Sequence, residues 1–162
     1  MQRAAGCNAI HIGHVIGGAA QLRQTSGREL CAVRVVLHVL QRGFGRRFDV
    51  RVRLGDFAIA RREISDEELR PGAFVSGPSQ FSLADAALWY LVFGATGRIE
   101  PMALTSELSI RFLRPAQGKV LWAKATLDVA GRRNVVGTIR VWCDDRSDRP
   151  TATAQGTYVL PL

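Results

Sequence analysis

The sequence lacks several features that mark common classes of protein. It has no uninterrupted apolar run of the roughly 18 residues that a membrane helix needs, which predicts a protein without a membrane span. Its three cysteines, Cys7, Cys31 and Cys143, form no CxxC pair and no regular framework. We therefore interpret them as reduced thiols and expect a cytoplasmic protein.

Histidine is also scarce, and its distribution argues against a metal site. All three histidines, His11, His14 and His38, lie in the first quarter of the chain. A structural zinc site needs four ligands, and only Cys7 stands near the closely spaced His11 and His14. The sequence therefore predicts no metal.

Lysine is nearly absent, and the net charge of +8 is unevenly distributed. Residues 1–47 contain seven arginines and one glutamate, whereas the other 115 residues contain 15 basic and 13 acidic side chains. Few aromatic residues accompany the arginines, so we expect no nucleic-acid partner. We predict that residues 1–27 are a poorly ordered basic extension and that residues 28–162 form a single domain.

The first half of the domain combines strands with one hydrophobic helix. Residues 29–41 are compatible with a helix or a strand, and residues 48–54 alternate as a half-buried strand that 57–64 continue. The segment SDEELRPG, 65–72, predicts a polar connection. Proline at the first turn predicts a helix from about residue 78 to 93, ended by Gly94 and Gly97.

The second half is predicted to be β-structure. Four long strands, at 103–113, 119–130, 135–143 and 151–160, are separated by short turns, which favours an antiparallel meander. In the first of them, alternation puts Leu104 on the same face as Leu108, Ile110 and Phe112, and puts Thr105 on the opposite face. The predicted class is α+β, with a long central hydrophobic helix wrapped by a curved antiparallel sheet.

One residue of the helix is unusual for its surroundings. Asp85 is the only charge in FSLADAALWYLVFG, and a buried carboxylate without a partner is costly. Two interpretations remain open. The acid is on an exposed strip, with Ser82 as a hydrogen-bond partner, or it performs chemistry.

Two segments together resemble a known family. GPSQFSLAD, ending at Asp85, and ALTSELSIRFLRPAQGKVLWAKATLDVAGRR, ending at Arg133, occur in the order found in PaaI-like acyl-CoA thioesterases, which have the hotdog fold. The resemblance spans roughly residues 48–160. It implies a thioesterase whose coenzyme A is part of the substrate, with no separate cofactor, and whose subunits form a homodimer or homotetramer.

The resemblance also implies roles for individual residues. Asp85 matches the catalytic carboxylate of the helix, nine residues after Ser76. Gly77 matches the glycine whose backbone N–H polarises the thioester carbonyl, and Thr105 matches a hydroxyl that helps to hold the water. The family's His-Gly-Gly motif is Ser-Gly-Pro here, with Ser76 in place of the histidine and Pro78 in place of the second glycine.

Further residues are expected to contact the substrate. Arg70 falls where the family often has Asn or Gln, and the arginines of turns could meet the phosphates of coenzyme A. The expected substrate-binding residues are Ser76, Arg70, Ser82, Arg114, Arg132 and Arg133.

Helix geometry bears on the oligomeric state. Asp85 lies two turns beyond Gly77, roughly 10 Å along the axis, which is too far for both to act on one carbonyl within one subunit. A site shared between two subunits would bring them together. We therefore expect hydrolysis of acyl thioesters, with Asp85 as general base or nucleophile. The alternative is a sensor or scaffold that binds acyl thioesters without hydrolysing them.

Overall fold

The computed structural model describes residues 49–53 and 56–161. The predictions for residues 1–27 and for 29–41 lie outside these ranges. The described elements are β1 (Asp49–Arg53), β2 (Phe57–Glu63), a short 3₁₀ helix (Asp66–Glu68), β3 (Leu69–Arg70), β4 (Phe74–Val75), α1 (Gly77–Thr96), β5 (Leu104–Phe112), β6 (Val120–Ala130), β7 (Asn134–Cys143) and β8 (Ala152–Val159).

The main sheet packs around α1. Six strands pair antiparallel in the order β1-β2-β6-β7-β8-β5, and β3 and β4 form a separate pair. Helix α1 contributes much of the buried core, and the inner face of the sheet covers it. The predicted α+β hotdog architecture, a long hydrophobic helix wrapped by a curved antiparallel sheet, is confirmed. Among the described residues, no helix is long and apolar enough to cross a membrane.

The predicted four-stranded meander is wrong in one strand. β6, β7 and β8 are sequential neighbours, but β5 pairs with β8 at the far side, with Phe112 opposite Ala152. The reason lies in the connection after β5. It does not turn back on itself, because Ala116 in that connection is buried and accepts a hydrogen bond from the N–H of Val75, just before α1. The chain thus crosses past the start of the helix before entering β6.

A β-bulge in β5 changes which side chains face the helix. Thr105 pairs with Tyr158 and Glu107 with Thr157, so Ser106 is an extra residue. A single extra residue reverses the alternation on one side of it. The prediction that Thr105 faces away from Leu108 is therefore wrong, since Thr105 faces α1, whereas Leu104 is 68% exposed.

Two glycines let the helix approach the sheet closely. Gly137 and Gly156 are paired residues of β7 and β8. A Cβ on Gly137 would lie 2.8 Å from Leu88 Cδ1, and one on Gly156 would lie 2.7 Å from Leu88 Cδ2. Leu88 is fully buried, so its side chain fills the space that these two residues leave.

The end of α1 differs slightly from the prediction. Gly97 adopts a left-handed conformation with φ of 69°, and its N–H bonds to the carbonyl of Phe93, as helix-ending glycines do. Gly94 was also predicted to end the helix, which is wrong, because it stays helical and buried in the core. The last turn of the helix reaches Thr96.

Candidate active site

Asp85 projects from α1 toward two hydroxyl groups of the sheet. The Thr105 hydroxyl and the Tyr158 hydroxyl each donate a hydrogen bond of 2.9 Å to Asp85 Oδ1. Thr105 and Tyr158 are direct partners on β5 and β8, so one cross-strand pair supplies both donors. Ser82 is not among the donors that the described part of the chain offers to this carboxylate.

Tyr158 is a functional candidate that sequence reasoning missed. Its residue is 4% exposed, and burial raises the pKa of its phenol well above the usual value, with the charge of Asp85 acting in the same direction. The phenol therefore remains protonated, and a hydrogen-bond donor, throughout the physiological range. The available signal was its inward position in the last strand, but a buried tyrosine is common in cores.

The start of α1 presents one free backbone donor. Ser76 is the N-cap, because its hydroxyl accepts a hydrogen bond of 3.3 Å from the N–H of Ser79. The N–H of Gln80 is also used, since it bonds to the carbonyl of Ser76. Pro78 has no N–H. Of the first four helical residues, this leaves the N–H of Gly77, which has no acceptor among the described residues.

Gly77 packs closely against the end of β5. A Cβ on Gly77 would lie 3.1 Å from Cζ of Phe112, the last residue of that strand. The start of α1 is also held by β2, because the buried Arg62 of that strand donates a 2.8 Å hydrogen bond to the carbonyl of Ser79. Arg62 in turn lies 2.5 Å from the Glu68 carboxylate. Glu68, in the connection predicted to be polar, thus forms a buried ion pair with Arg62 of β2.

Gly77 opens into a cleft. The cleft has a volume of about 730 Å³ and is open to solvent, and both Arg70 and Arg114 line it together with Phe74 and Phe112. The structure therefore brings three of the predicted site residues, Arg70, Gly77 and Arg114, around one opening. Asp85 does not line this cleft.

Arg132 and Arg133 occupy a different part of the molecule. Both are exposed in the β6–β7 turn. The carbonyl of Arg133 bonds to Leu160, just past the end of β8, whereas the N–H of Arg114 bonds to Thr151, just before its start. The eight residues of β8 separate these points by roughly 25 Å. Arg114 therefore cannot bind the same phosphate as Arg132 and Arg133 within one subunit.

The site thus consists of two halves on one helix. Asp85 with its two hydroxyl donors faces one end of β5, and Gly77 with its free N–H faces the other end. Eight residues of helix separate Gly77 from Asp85, about 12 Å of axial rise. One half carries a carboxylate suited to activating a nucleophile, and the other carries a donor suited to an oxyanion.

Comparisons with known proteins indicate the family to which this chain belongs. Residues 72–149 match the family described as the thioesterase superfamily. A Silicibacter sp. TM1040 protein assigned as a thioesterase is similar in structure, with a TM-score of 0.65 and 31% identity over 77% of this chain and 88% of that protein. No curated protein matches the sequence.

Two further structures share the fold. The E. coli PaaI protein from the phenylacetic acid degradation operon has a TM-score of 0.61 and 23% identity, over 75% of this chain and 83% of its own. A Streptococcus mutans protein bound to acetyl-CoA has a TM-score of 0.60 and 20% identity, over 72% of this chain and 90% of its own. The motif order, the helix-and-sheet architecture and the 31% identical relative agree, and the chain belongs to the thioesterase superfamily with the hotdog fold.

Proposed function

We propose that the protein hydrolyses acyl thioesters of coenzyme A or of a related acyl carrier to a free acid and a thiol. The observation that carries the proposal is the setting of Asp85. Two hydroxyls bond to its Oδ1, which fixes the carboxylate, and Oδ2 accepts no hydrogen bond from the described residues. Oδ2 is thus available to a water molecule or a thioester carbon.

The chemistry divides between the two halves of the site. As a general base, Asp85 takes a proton from water, and the water oxygen bonds to the thioester carbon. As a nucleophile, Asp85 itself forms that bond, and water later cleaves the resulting anhydride. In both routes the carbonyl oxygen gains negative charge, which the N–H of Gly77 stabilises by donating a hydrogen bond to it, and the thiolate leaves. A donor of this kind is typically worth about 3–4 kcal/mol.

A homodimer would unite the two halves. Among the described residues β5 forms an edge of the sheet, and such an edge exposes unpaired backbone groups. It also exposes Leu104 and Phe112, which are 68% and 50% accessible. Antiparallel pairing of two β5 edges would place the Thr105 end of one copy near the Phe112 end of the other. Asp85 of one subunit would then approach Gly77 of its partner.

Replacement of Asp85 tests the proposed role. Asp85→Asn keeps the shape and removes the charge, so we expect thiol release from a panel of acyl-CoA esters to fall at least about 10²-fold. Asp128→Asn is a matched control, because Asp128 also accepts a threonine hydrogen bond, from Thr138, but lies exposed on β6. That variant should keep wild-type turnover, and both should remain folded by circular dichroism.

Three results would contradict the proposal in different ways. If Asp85→Asn turns over as fast as the wild type, the carboxylate has no catalytic role. If it does not fold, Asp85 is structural. The Asp85→Ser variant then tests whether a small polar residue restores the fold without restoring activity. If the folded wild type binds the esters and releases no thiol, the protein is an acyl-thioester sensor or scaffold.

A further inference from the structure

One buried position of β2 carries a charge. Burial alternates along this strand, and Arg62 follows the buried Ala58 and Ala60 on the same face. Arg62 is 6% exposed, and its ion-pair partner Glu68 is 3% exposed. Moving two charges out of water is costly, and well-packed apolar residues in their place are often as stable. The stability of the core therefore does not by itself account for this pair.

The location of Arg62 is also unfavourable for the beginning of a helix. Its Nη2 atom donates a 2.8 Å hydrogen bond to the carbonyl of Ser79, in the first turn of α1. The N-terminal end of a helix carries partial positive charge, which disfavours a nearby cation. The Glu68 carboxylate lies 2.5 Å from the same nitrogen and offsets this repulsion. The helix backbone near Gly77 thereby accepts a buried hydrogen bond from a charged donor.

Glu68 holds the residue on the other side of Gly77. Its carbonyl accepts the N–H of Ser76 at 2.8 Å. Its carboxylate accepts the N–H and the hydroxyl of Ser65, at 3.1 and 3.2 Å, which fixes the side chain. The two members of the ion pair thus anchor Ser76, just before Gly77, and Ser79, two residues after it.

The surrounding segment has further fixed contacts. The N–H of Val75 bonds to the carbonyl of Ala116 at 2.8 Å. The Thr151 hydroxyl donates to the side-chain oxygen of the buried Gln80, also at 2.8 Å. Gly77 itself has no side chain that could anchor its peptide group. The direction of its N–H is therefore determined by the contacts of its neighbours.

We propose that Arg62 is a positioning residue for the Gly77 donor. Its bond to the Ser79 carbonyl, with Glu68 as the charge partner, holds the first turn of α1, so that the Gly77 N–H keeps a fixed position beside the cleft. Arg62 is not among the residues that line the cleft, so it acts through the helix backbone and not on the substrate. This inference rests on the proposed thioesterase function, in which the Gly77 N–H stabilises the oxyanion.

A double substitution separates loss of positioning from loss of stability. Arg62→Met alone leaves Glu68 buried without this cation, so the melting temperature should fall by roughly 10 °C. Arg62→Met combined with Glu68→Gln removes both charges, and the glutamine oxygen can still accept the N–H of Ser65. The melting temperature of the double variant should therefore lie close to the wild-type value.

The expected kinetic effect is on the rate and not on substrate binding. The double variant should lower kcat for thiol release from acyl-CoA esters at least about tenfold, with KM little changed, because the oxyanion forms only in the transition state. Arg62→Lys keeps a cationic donor and should recover most of the lost rate. Arg98→Met is the matched control, because Arg98 pairs with Glu100 beyond the other end of α1. That variant should keep wild-type kcat.

Amide hydrogen exchange tests the same contact without turnover. Resolved by residue with NMR, the amides of Ser79 and Gln80 should exchange at least about tenfold faster in the double variant than in the wild type, because the first turn opens more often. The amide of Phe93, near the end of α1, should exchange at the wild-type rate. Arg98→Met should leave the exchange at Ser79 and Gln80 unchanged.

The outcomes separate this inference from the proposed function. A folded double variant with wild-type kcat would overturn the positioning role and leave the thioesterase intact. A lower kcat with unchanged exchange at the first turn would also overturn it, since Arg62 would then not act through the helix start. Faster exchange at the first turn, in a protein whose wild type releases thiol from no ester, would refute hydrolysis and support the role of Arg62 in holding Gly77.

A milder substitution covers failure of the double variant to fold. Arg62→Gln has a shorter side chain that can still donate to Glu68 but does not reach the Ser79 carbonyl. It should show the same fall in kcat and the same faster exchange. If neither variant folds, Arg62 is a structural residue and the proposal is wrong.

Discussion

At the scale of single residues, Asp85 depends on a pair of hydroxyls for its orientation. Both Thr105 and Tyr158 donate to the same carboxylate oxygen, at 2.9 Å each. A carboxylate with two fixed donors on one oxygen has little rotational freedom, so the direction of the other oxygen is set. The direction of Asp85 Oδ2, the atom proposed to act on substrate, is thus set by the cross-strand pair as much as by the helix.

Removing the hydroxyl group of Tyr158 should lower the rate of thioester hydrolysis without affecting substrate binding. A hydrogen bond to a charged group contributes about 1.5–3 kcal/mol, so Tyr158→Phe should reduce kcat roughly 10- to 100-fold with KM little changed. Tyr90→Phe is the control, because Tyr90 of α1 is also buried and its hydroxyl donates no hydrogen bond to Asp85 within the described residues. Steady-state thiol release measures both. A purely structural tyrosine would leave kcat unchanged while lowering the melting temperature.

The sequence could identify some of these residues and not others. Asp85 was detectable as a lone charge in an apolar helix, and the family motif pointed to Gly77 and Thr105. The orientation of Thr105 could not be predicted, because alternation ignores the bulge at Ser106. Tyr158 was missed because its importance arises from pairing with Thr105, and strand pairing depends on the whole sheet.

At the scale of elements, the start of α1 is organised to leave one donor free. Capping by Ser76, the missing N–H of Pro78 and the helical bond of Gln80 together account for every early amide except that of Gly77. The helix dipole adds partial positive charge at the same end. The Ser-Gly-Pro sequence thus leaves a single backbone donor free for the proposed contact with an oxyanion, although the motif histidine is absent.

The cap of α1 should be measurable as stability. Ser76→Ala removes the acceptor for the N–H of Ser79 and should lower the free energy of unfolding by about 1 kcal/mol. Ser76→Asp supplies another good cap and should restore it. Urea denaturation followed by circular dichroism measures both variants. If Ser76→Ala is as stable as the wild type, the serine does not act as a cap, and its predicted contact with substrate becomes its main role.

Element boundaries were predictable where local chemistry fixes them. Pro78 and Gly97 marked the start and end of α1, because proline suits the first turn and a left-handed glycine ends a helix. β5 was correctly located in sequence and wrongly placed in the sheet. The strand with which β5 pairs depends on the path of the chain after β5. On that path the carbonyl of Ala116 accepts a hydrogen bond from Val75, which is distant from Ala116 in the sequence.

At the scale of the whole molecule, the separation of the two half-sites predicts that the proposed activity needs a contact between two subunits. Asp85 and Gly77 face opposite ends of one edge strand. Two copies related by a two-fold axis would form two composite sites, each with Asp85 from one subunit and Gly77 from the other. A monomer would contain all the groups and no complete site.

Mixing two inactive variants tests this arrangement. Asp85→Asn lacks the carboxylate, and Gly77→Val places a side chain against Phe112 in the cleft that Gly77 lines. Random pairing of equal amounts makes half of the dimers mixed, and each mixed dimer has one intact site. After unfolding and refolding together, the mixture should show about a quarter of wild-type activity.

Controls are needed for both components. Each variant refolded alone should stay inactive, and light scattering should show dimers or larger multiples in every sample. If Gly77→Val does not refold, Gly77→Ala is the milder substitute. A mixture of folded, dimeric variants that remains inactive would show that each site is built from a single subunit.

The contact of Leu88 with Gly137 and Gly156 affects how substitutions at these two glycines should be interpreted. Leu88 follows Asp85 by about one turn, and its side chain fits into the gap above Gly137 and Gly156. This contact helps to fix the position of α1 along the sheet. A methyl group at either glycine would lie less than 3 Å from the Leu88 side chain, so Leu88 would have to move, and we expect a shift of α1 that alters the contact of Asp85 with its two hydroxyl donors. Inherited or engineered variants there would mimic active-site lesions in an assay, although neither glycine takes part in the chemistry.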